Sequence, residues 1–147
     1  MELPSQFSLE EFNRQLQELA GAYRGIVQRS GITLNEFWLW YALIAMPQGQ
    51  SQQQLCETWA FRKQTVNTII ASFCKKGYVT LEPAPATRNR KLICLTEEGR
   101  RYGEALVLPV IQAERRALAS LDTTQLQLCM QLLRQYTTCL EEALHET

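Results

Sequence analysis

Six polar side chains crowd into residues 62–68: Arg62, Lys63, Gln64, Thr65, Asn67 and Thr68. The amides of Gln64 and Asn67 can make paired hydrogen bonds to adenine, and Arg62 or Lys63 can read guanine. Val66, Ile69, Ile70 and Phe73 recur at helical spacing between and beyond them. A helix here would bury one face and leave the polar face free to read base edges. Lys75 carries the polar set into the last turn of that helix.

A second polar group follows. Arg88 and Arg90 lie near Pro83 and Pro85. An arginine on an exposed hairpin can enter an A·T-rich minor groove, where the negative potential is strongest. The prolines stiffen the segment and lower the entropy lost on docking.

Charge distribution supports a polyanionic partner, double-stranded DNA. The chain has 147 residues and no formal net charge. Residues 1–61 hold three Arg against six Glu, and residues 102–147 hold three Arg against six acids. Residues 62–101 hold nine Lys or Arg against three Glu. A basic centre between acidic arms is what a phosphate-binding surface requires.

Other chemistries lack material. The one histidine is His145, near the C-terminus, and no Gly-rich phosphate loop or carboxylate cluster occurs. An enzyme, a metal site and a bound cofactor are therefore not expected. The cysteines, Cys56, Cys74, Cys94, Cys129 and Cys139, are odd in number and form no CxxC pair, which suits buried free thiols in a reducing compartment. With no long apolar run and an acidic start, Met1-Glu2-Leu3-Pro4, neither a membrane span nor a secretory signal is expected, and the cytoplasm is the default.

Capping chemistry marks the elements that must position these groups. Ser8 with Glu11, Thr33 with Glu36, Ser51 with Gln54 and Asp122 with Gln125 have capping-box spacing. They predict helices from residue 9 to near Ser30, from Thr33 to Met46, from Ser51 to Trp59, and from Asp122 to near the end. Another helix spans about Arg62 to Lys76 and stops at Gly77. Two strands are predicted, over 78–81 and 91–95, around an exposed tip at 82–90. A long helix follows from Thr96 to about Ser120, with a kink or break at Pro109. The last helix keeps a near-heptad apolar seam through Leu126, Cys129, Leu133, Tyr136, Leu140 and Ala143.

The fold class is therefore mainly α with a small β-hairpin wing: a winged helix-turn-helix domain with N- and C-terminal dimerisation helices. One domain is expected over 1–147, with a DNA-binding lobe at about 33–103 and dimerisation helices at about 8–30 and 104–145. The first and last helices carry broad apolar faces that one small lobe cannot cover, which calls for a second copy of the chain. A dimer would read the two halves of a pseudo-palindromic operator.

The stretch from Thr33 to Gly103 resembles the MarR family of regulators. The resemblance rests on Thr33 and Phe37 opening the second helix, on Gln64 to Ile70 with Lys75 to Val79, and on Leu95-Thr96-Glu97-Glu98-Gly99 after the wing. Three positions depart from the family pattern. Thr87 stands where an acid is usual at the wing tip, Thr68 where an Arg is frequent, and Phe61-Arg62 where a Ser or Asp commonly caps the recognition helix.

The resemblance implies intertwined terminal helices, a repressor role, and relief by a small molecule or an oxidant. It also implies a pocket for an aromatic or phenolic acid, which Tyr23, Trp38 and Tyr41 could line with Arg24 or Arg29 for the carboxylate. Two alternatives stand beside this reading. One is a cysteine redox sensor through Cys74, whose neighbours Lys75 and Lys76 would favour the thiolate. The other is a winged helix that binds protein and no DNA.

Overall fold

The computed structural model describes residues 3–146, save the side chain of Arg88. Its helices are α1 (Leu9–Ser30), α2 (Leu34–Ala45), α3 (Gln52–Trp59), α4 (Lys63–Lys75), α5 (Glu97–Leu118) and α6 (Thr123–His145). The strands β1 (Val79–Ala84) and β2 (Thr87–Leu95) lie between α4 and α5 and pair antiparallel. The chain divides into two compact units, residues 1–107 and 108–147.

Three of the four capping boxes close on both sides, at Thr33/Glu36, Ser51/Gln54 and Asp122/Gln125. At Ser8 one half forms: its hydroxyl accepts from Glu11 N–H at 3.1 Å. Each such cap satisfies helix-end N–H groups and is worth roughly 1 kcal/mol. Gly31 ends α1 in the left-handed region at φ 67°.

The core of the first unit is built on α2. Phe37, Leu39, Trp40, Ala42 and Leu43 are buried on it, which is why this helix is apolar nearly all round. Leu55 from α3, Val66, Ile70 and Phe73 from α4, Val79 and Ile93 from the strands and Val107 from α5 complete it. Trp40 stacks on Phe73 with centroids 4.4 Å apart. At about 1.5–3 kcal/mol for each large side chain fully buried, this cluster is the main source of the unit's stability.

The exit from α4 is a Schellman turn. Gly77 adopts φ 77°, its N–H donates to the Cys74 carbonyl at 3.0 Å, and Tyr78 N–H donates to Phe73 O at 2.9 Å. The Tyr78 carbonyl in turn accepts from Thr96 N–H at 3.0 Å. The Thr96 hydroxyl donates to Gly77 O at 2.6 Å and accepts from Gly99 N–H at 3.0 Å, so it caps α5 while tying that helix to the end of α4. A Cβ on Gly99 would land on the Tyr78 carbonyl. Gly103, one turn on, has the same role against Trp40 and Ile44, whose side-chain carbons lie 2.8 Å from where its Cβ would be.

The wing is longer than the sequence suggests. The strands continue through most of the stretch read as an exposed tip, and the turn itself is only Pro85-Ala86. Pro83 is accommodated because each strand of a two-stranded hairpin has an open edge. Beyond the Pro83–Lys91 pair the next is Ala84–Thr87, so residues 88–90 of β2 have no counterpart on β1.

A single bridge adds a third arm: Ile93 N–H donates to Gln50 O at 2.8 Å, and the buried Gln50 amide donates to Ala42 O at 3.2 Å. One residue has no periodicity, so the sequence gives no signal for it. Helix α5 runs unbroken through Pro109, and the division between units falls just before it, at Val107/Leu108.

In the second unit α6 has no buried residue, despite its apolar seam. Leu128, Met130, Leu132, Leu133 and Leu144 are all exposed. Among the described residues, no helix is long and apolar enough to cross a membrane.

The glycine packing has a direct test. Gly99→Ala should lower unfolding stability by about 1–3 kcal/mol through overpacking against backbone. Gly25→Ala, in α1 with nothing within 4 Å of its Cβ position, should raise stability by about 0.5–1 kcal/mol through helix propensity. Urea denaturation of the two variants checks this; equal effects would show that the Tyr78 contact is not limiting.

Candidate nucleic-acid interface

Helix α4 separates its two faces cleanly. Val66, Ile70 and Phe73 are buried, while Arg62, Lys63, Gln64, Asn67, Thr68 and Lys75 are exposed and Thr65 is half-buried. The burial of the apolar stripe fixes the rotation of the helix, and that rotation presents the polar set to solvent. Thr68 is partly committed, because its hydroxyl donates to Gln64 O at 2.9 Å.

Arg62 is the N-cap of α4 and makes no side-chain cap bond. The first turn of the helix therefore combines unpaired N–H dipoles with the cations of Arg62 and Lys63, and both favour an anion. Just before it, Ala60 is held at φ 53°, ψ 34°, a left-handed conformation that lets α3 and α4 meet in a tight turn.

Among the described residues, Arg62, Lys63, Lys75, Lys76, Arg90 and Lys91 make no ion pair, whereas Arg100 pairs with Glu104 at 3.8 Å. Two grooves run beside these cations. One, about 470 Å³, is lined by Thr33 and Asn35 at the start of α2 and by Arg62, Gln64, Thr65 and Thr68 of α4. The other, about 560 Å³, lies between residues 51–53 and the wing residues Thr87, Asn89, Arg90 and Lys91. Arg90 is thus set beside α3, not at the turn. The candidate side chain of Arg88 lies outside the described residues.

Three of the residues considered for a small ligand are brought together. Tyr23 and Trp38 have ring centroids 4.8 Å apart, and Trp38 and Tyr41 5.5 Å. Arg24 is exposed and reaches back along α1, with Nη2 3.5 Å from the Cβ position of Gly21; Arg29 is exposed in the last turn of α1.

The sequence reading missed Trp59 and Phe61. Trp59 joins the ring cluster through Tyr41 at 5.7 Å, and its buried Nε1 has no hydrogen-bond partner. With Asn35, Trp38 and Ala60, Trp59 and Phe61 line a cavity of about 410 Å³. The available signal was the aromatic pair Trp59 and Phe61 flanking the turn between two helices.

The thiols differ in setting. Cys56 and Cys74 are half-buried, and Cys129 and Cys139 are exposed on α6. Burial, with Glu82 beside it, pushes the Cys94 thiol up from its ordinary pKa, so it forms thiolate less readily. Among the described residues, no three His, Cys, Asp or Glu gather as a metal-ligand set.

Comparison with known proteins adds the following. The sequence pattern of the MarR family matches residues 30–88. No curated protein matches the sequence. Among solved structures, the chain is similar to NMB1585, a MarR family regulator from Neisseria meningitidis, at TM-score 0.78 and 19% identity, covering 94% of this chain and 96% of that one. It is similar to S. aureus MepR, solved in complex with DNA, at TM-score 0.68 and 18% identity, covering 92% and 99%. It is also similar to Bordetella bronchiseptica BpsR at TM-score 0.66 and 18% identity, covering 93% and 98%. Residues 30–88 match the sequence pattern of the MarR family, and the chain has the fold of the MarR regulators.

Proposed function

We propose that this protein is a homodimeric, sequence-specific double-stranded DNA-binding transcription regulator, a repressor that a small aromatic ligand releases from its operator. The observation that carries the DNA reading is the unpaired cationic and amide surface on the solvent face of α4. Arg62, Lys63, Gln64, Thr65, Asn67 and Thr68 would meet base edges and adjacent phosphates, with Lys75 on the backbone and the wing, including Arg88 and Arg90, flanking the groove. A protein-binding module would have no need of such a charge concentration.

The dimer is supported by what the single chain leaves bare. No residue of α6 is buried and Leu133 and Leu140 of its seam are exposed, while Leu9 and Leu19 of α1 are 54% and 61% exposed. Exposed apolar surface on this scale marks an association face. Two recognition helices would then lie about 34–36 Å apart, one DNA turn.

Ligand release is supported by the ring cluster of Tyr23, Trp38 and Tyr41, an apolar body of the kind small-molecule sites use. The structurally similar BpsR has its DNA binding regulated by 6-hydroxynicotinic acid, and S. aureus MarR was solved with salicylate.

Three outcomes are expected. The full chain, 16.9 kDa, should elute at twice that mass; a monomer at micromolar concentration contradicts the paired reading. Fluorescence anisotropy on promoter DNA should give a log–log salt slope of about −6, if each subunit neutralises three to four phosphates. Arg62→Ala with Lys63→Ala should weaken binding about tenfold or more while circular dichroism stays unchanged; unaltered affinity would overturn the assignment of α4. Separately, salicylate should raise the melting temperature of the chain and lower its DNA affinity, and Trp38→Ala should abolish both effects.

A further inference from the structure

The wing and α3 form one cleft whose walls are pinned. The Ile93 N–H to Gln50 O bond, 2.8 Å, fastens β2 to the residue immediately before the α3 cap. The Gln50 side chain is buried and donates to Ala42 O at 3.2 Å, which ties the same point to α2. The Ser51/Gln54 capping box then sets the direction of α3. Two residues beyond the bridge, toward the turn, stands Lys91, the last residue before the unmatched stretch 88–90.

The chemistry of this cleft has one sign. Arg90 and Lys91 line it, both exposed and neither ion-paired, with the neutral polar side chains of Gln52, Gln53, Thr87 and Asn89. No carboxylate is among the lining residues. One amide hydrogen bond of Gln53 is already committed, to Glu57 at 2.8 Å, one turn along α3 and away from the cleft. A volume of about 560 Å³ takes a phosphodiester with its flanking sugars, and two cations with no carboxylate beside them favour an anion.

Resting on the DNA-binding reading above, we propose that the cleft between α3 and β2 seats one backbone phosphate of the DNA duplex, gripped by Arg90 and Lys91. Arg90 then positions the protein on DNA and does not read sequence from the minor groove. The irregular register is the device that does this. Residues 88–90 have no partners on β1, and Arg90 is placed beside α3 and away from the Pro85-Ala86 turn. The first helix of a helix-turn-helix pair crosses the DNA backbone, so a phosphate held here fixes the register of the α4 face on the bases.

The test uses the full chain and a duplex carrying its preferred site. Arg90→Ala and Lys91→Ala should each reduce the magnitude of the salt slope, by about 1 per subunit when combined, and each should weaken binding equally on preferred and unrelated duplexes. A duplex with one phosphate replaced by neutral methylphosphonate should identify the seated phosphate. Wild type should lose affinity for that duplex, Lys91→Ala should lose no more, and Arg90→Lys with Lys91→Arg should restore wild-type behaviour. If Arg90→Ala keeps the wild-type slope but erases a preference for A·T pairs beside the site, the arginine is a minor-groove reader and the proposal is overturned. If wild type binds tightly and neither variant differs from it, the cleft holds no phosphate. If wild type binds no DNA, the proposal falls together with the DNA reading.

Discussion

The Tyr78 carbonyl is the point on which the unit of residues 1–107 turns. It receives the first N–H after β2, while the residues just ahead of it close the Schellman turn of α4. Gly99 lies so close to it that no side chain fits between them. Four chain directions, the end of α4, the start of β1, the end of β2 and the start of α5, are therefore set by one peptide group and its neighbours. The recognition helix and the wing cannot move independently at this junction. A second tie at Gln50–Ile93 fixes the other side of the wing against the start of α3. Between the two ties, the polar faces of α4 and β2 are held in a fixed relation, which a surface reading a rigid helical polymer needs.

Much of this was legible in the sequence because it rests on local rules. Capping spacing located the starts of α1, α2, α3 and α6. The apolar stripe of α4 gave both the helix and its free face, and Leu95 to Gly99 marked the junction. The parts that were not legible depend on single residues or on pairing. The Gln50 bridge is one residue long. The first strand is expected to end near Leu81 because Pro83 and Pro85 look like a loop, yet a two-stranded ribbon has open edges on which Pro83 costs little. The register irregularity that moves Arg90 has no sequence signature. Trp59 ends α3 just before the turn, and its place in the ring cluster depends on how α3 crosses α2.

The sequence also pointed to the surface left unfinished. The seam of α6 was visible as a near-heptad, and in the single chain that seam is exposed with no buried residue. One physical argument, apolar area without cover, links the sequence pattern to a dimer and the dimer to a two-fold operator. The charge distribution follows the same division, with acidic arms at residues 1–61 and 102–147 around a basic centre at 62–101.

The central claim is that two copies of the α4 face read DNA one turn apart. Selecting bound duplexes from a pool of random fragments, with the full-length protein at physiological salt, tests it most directly. The account predicts enrichment of a pseudo-palindrome whose half-site centres lie about 10 base pairs apart. Enrichment of a single unpaired site, or of no sequence above background, would contradict it.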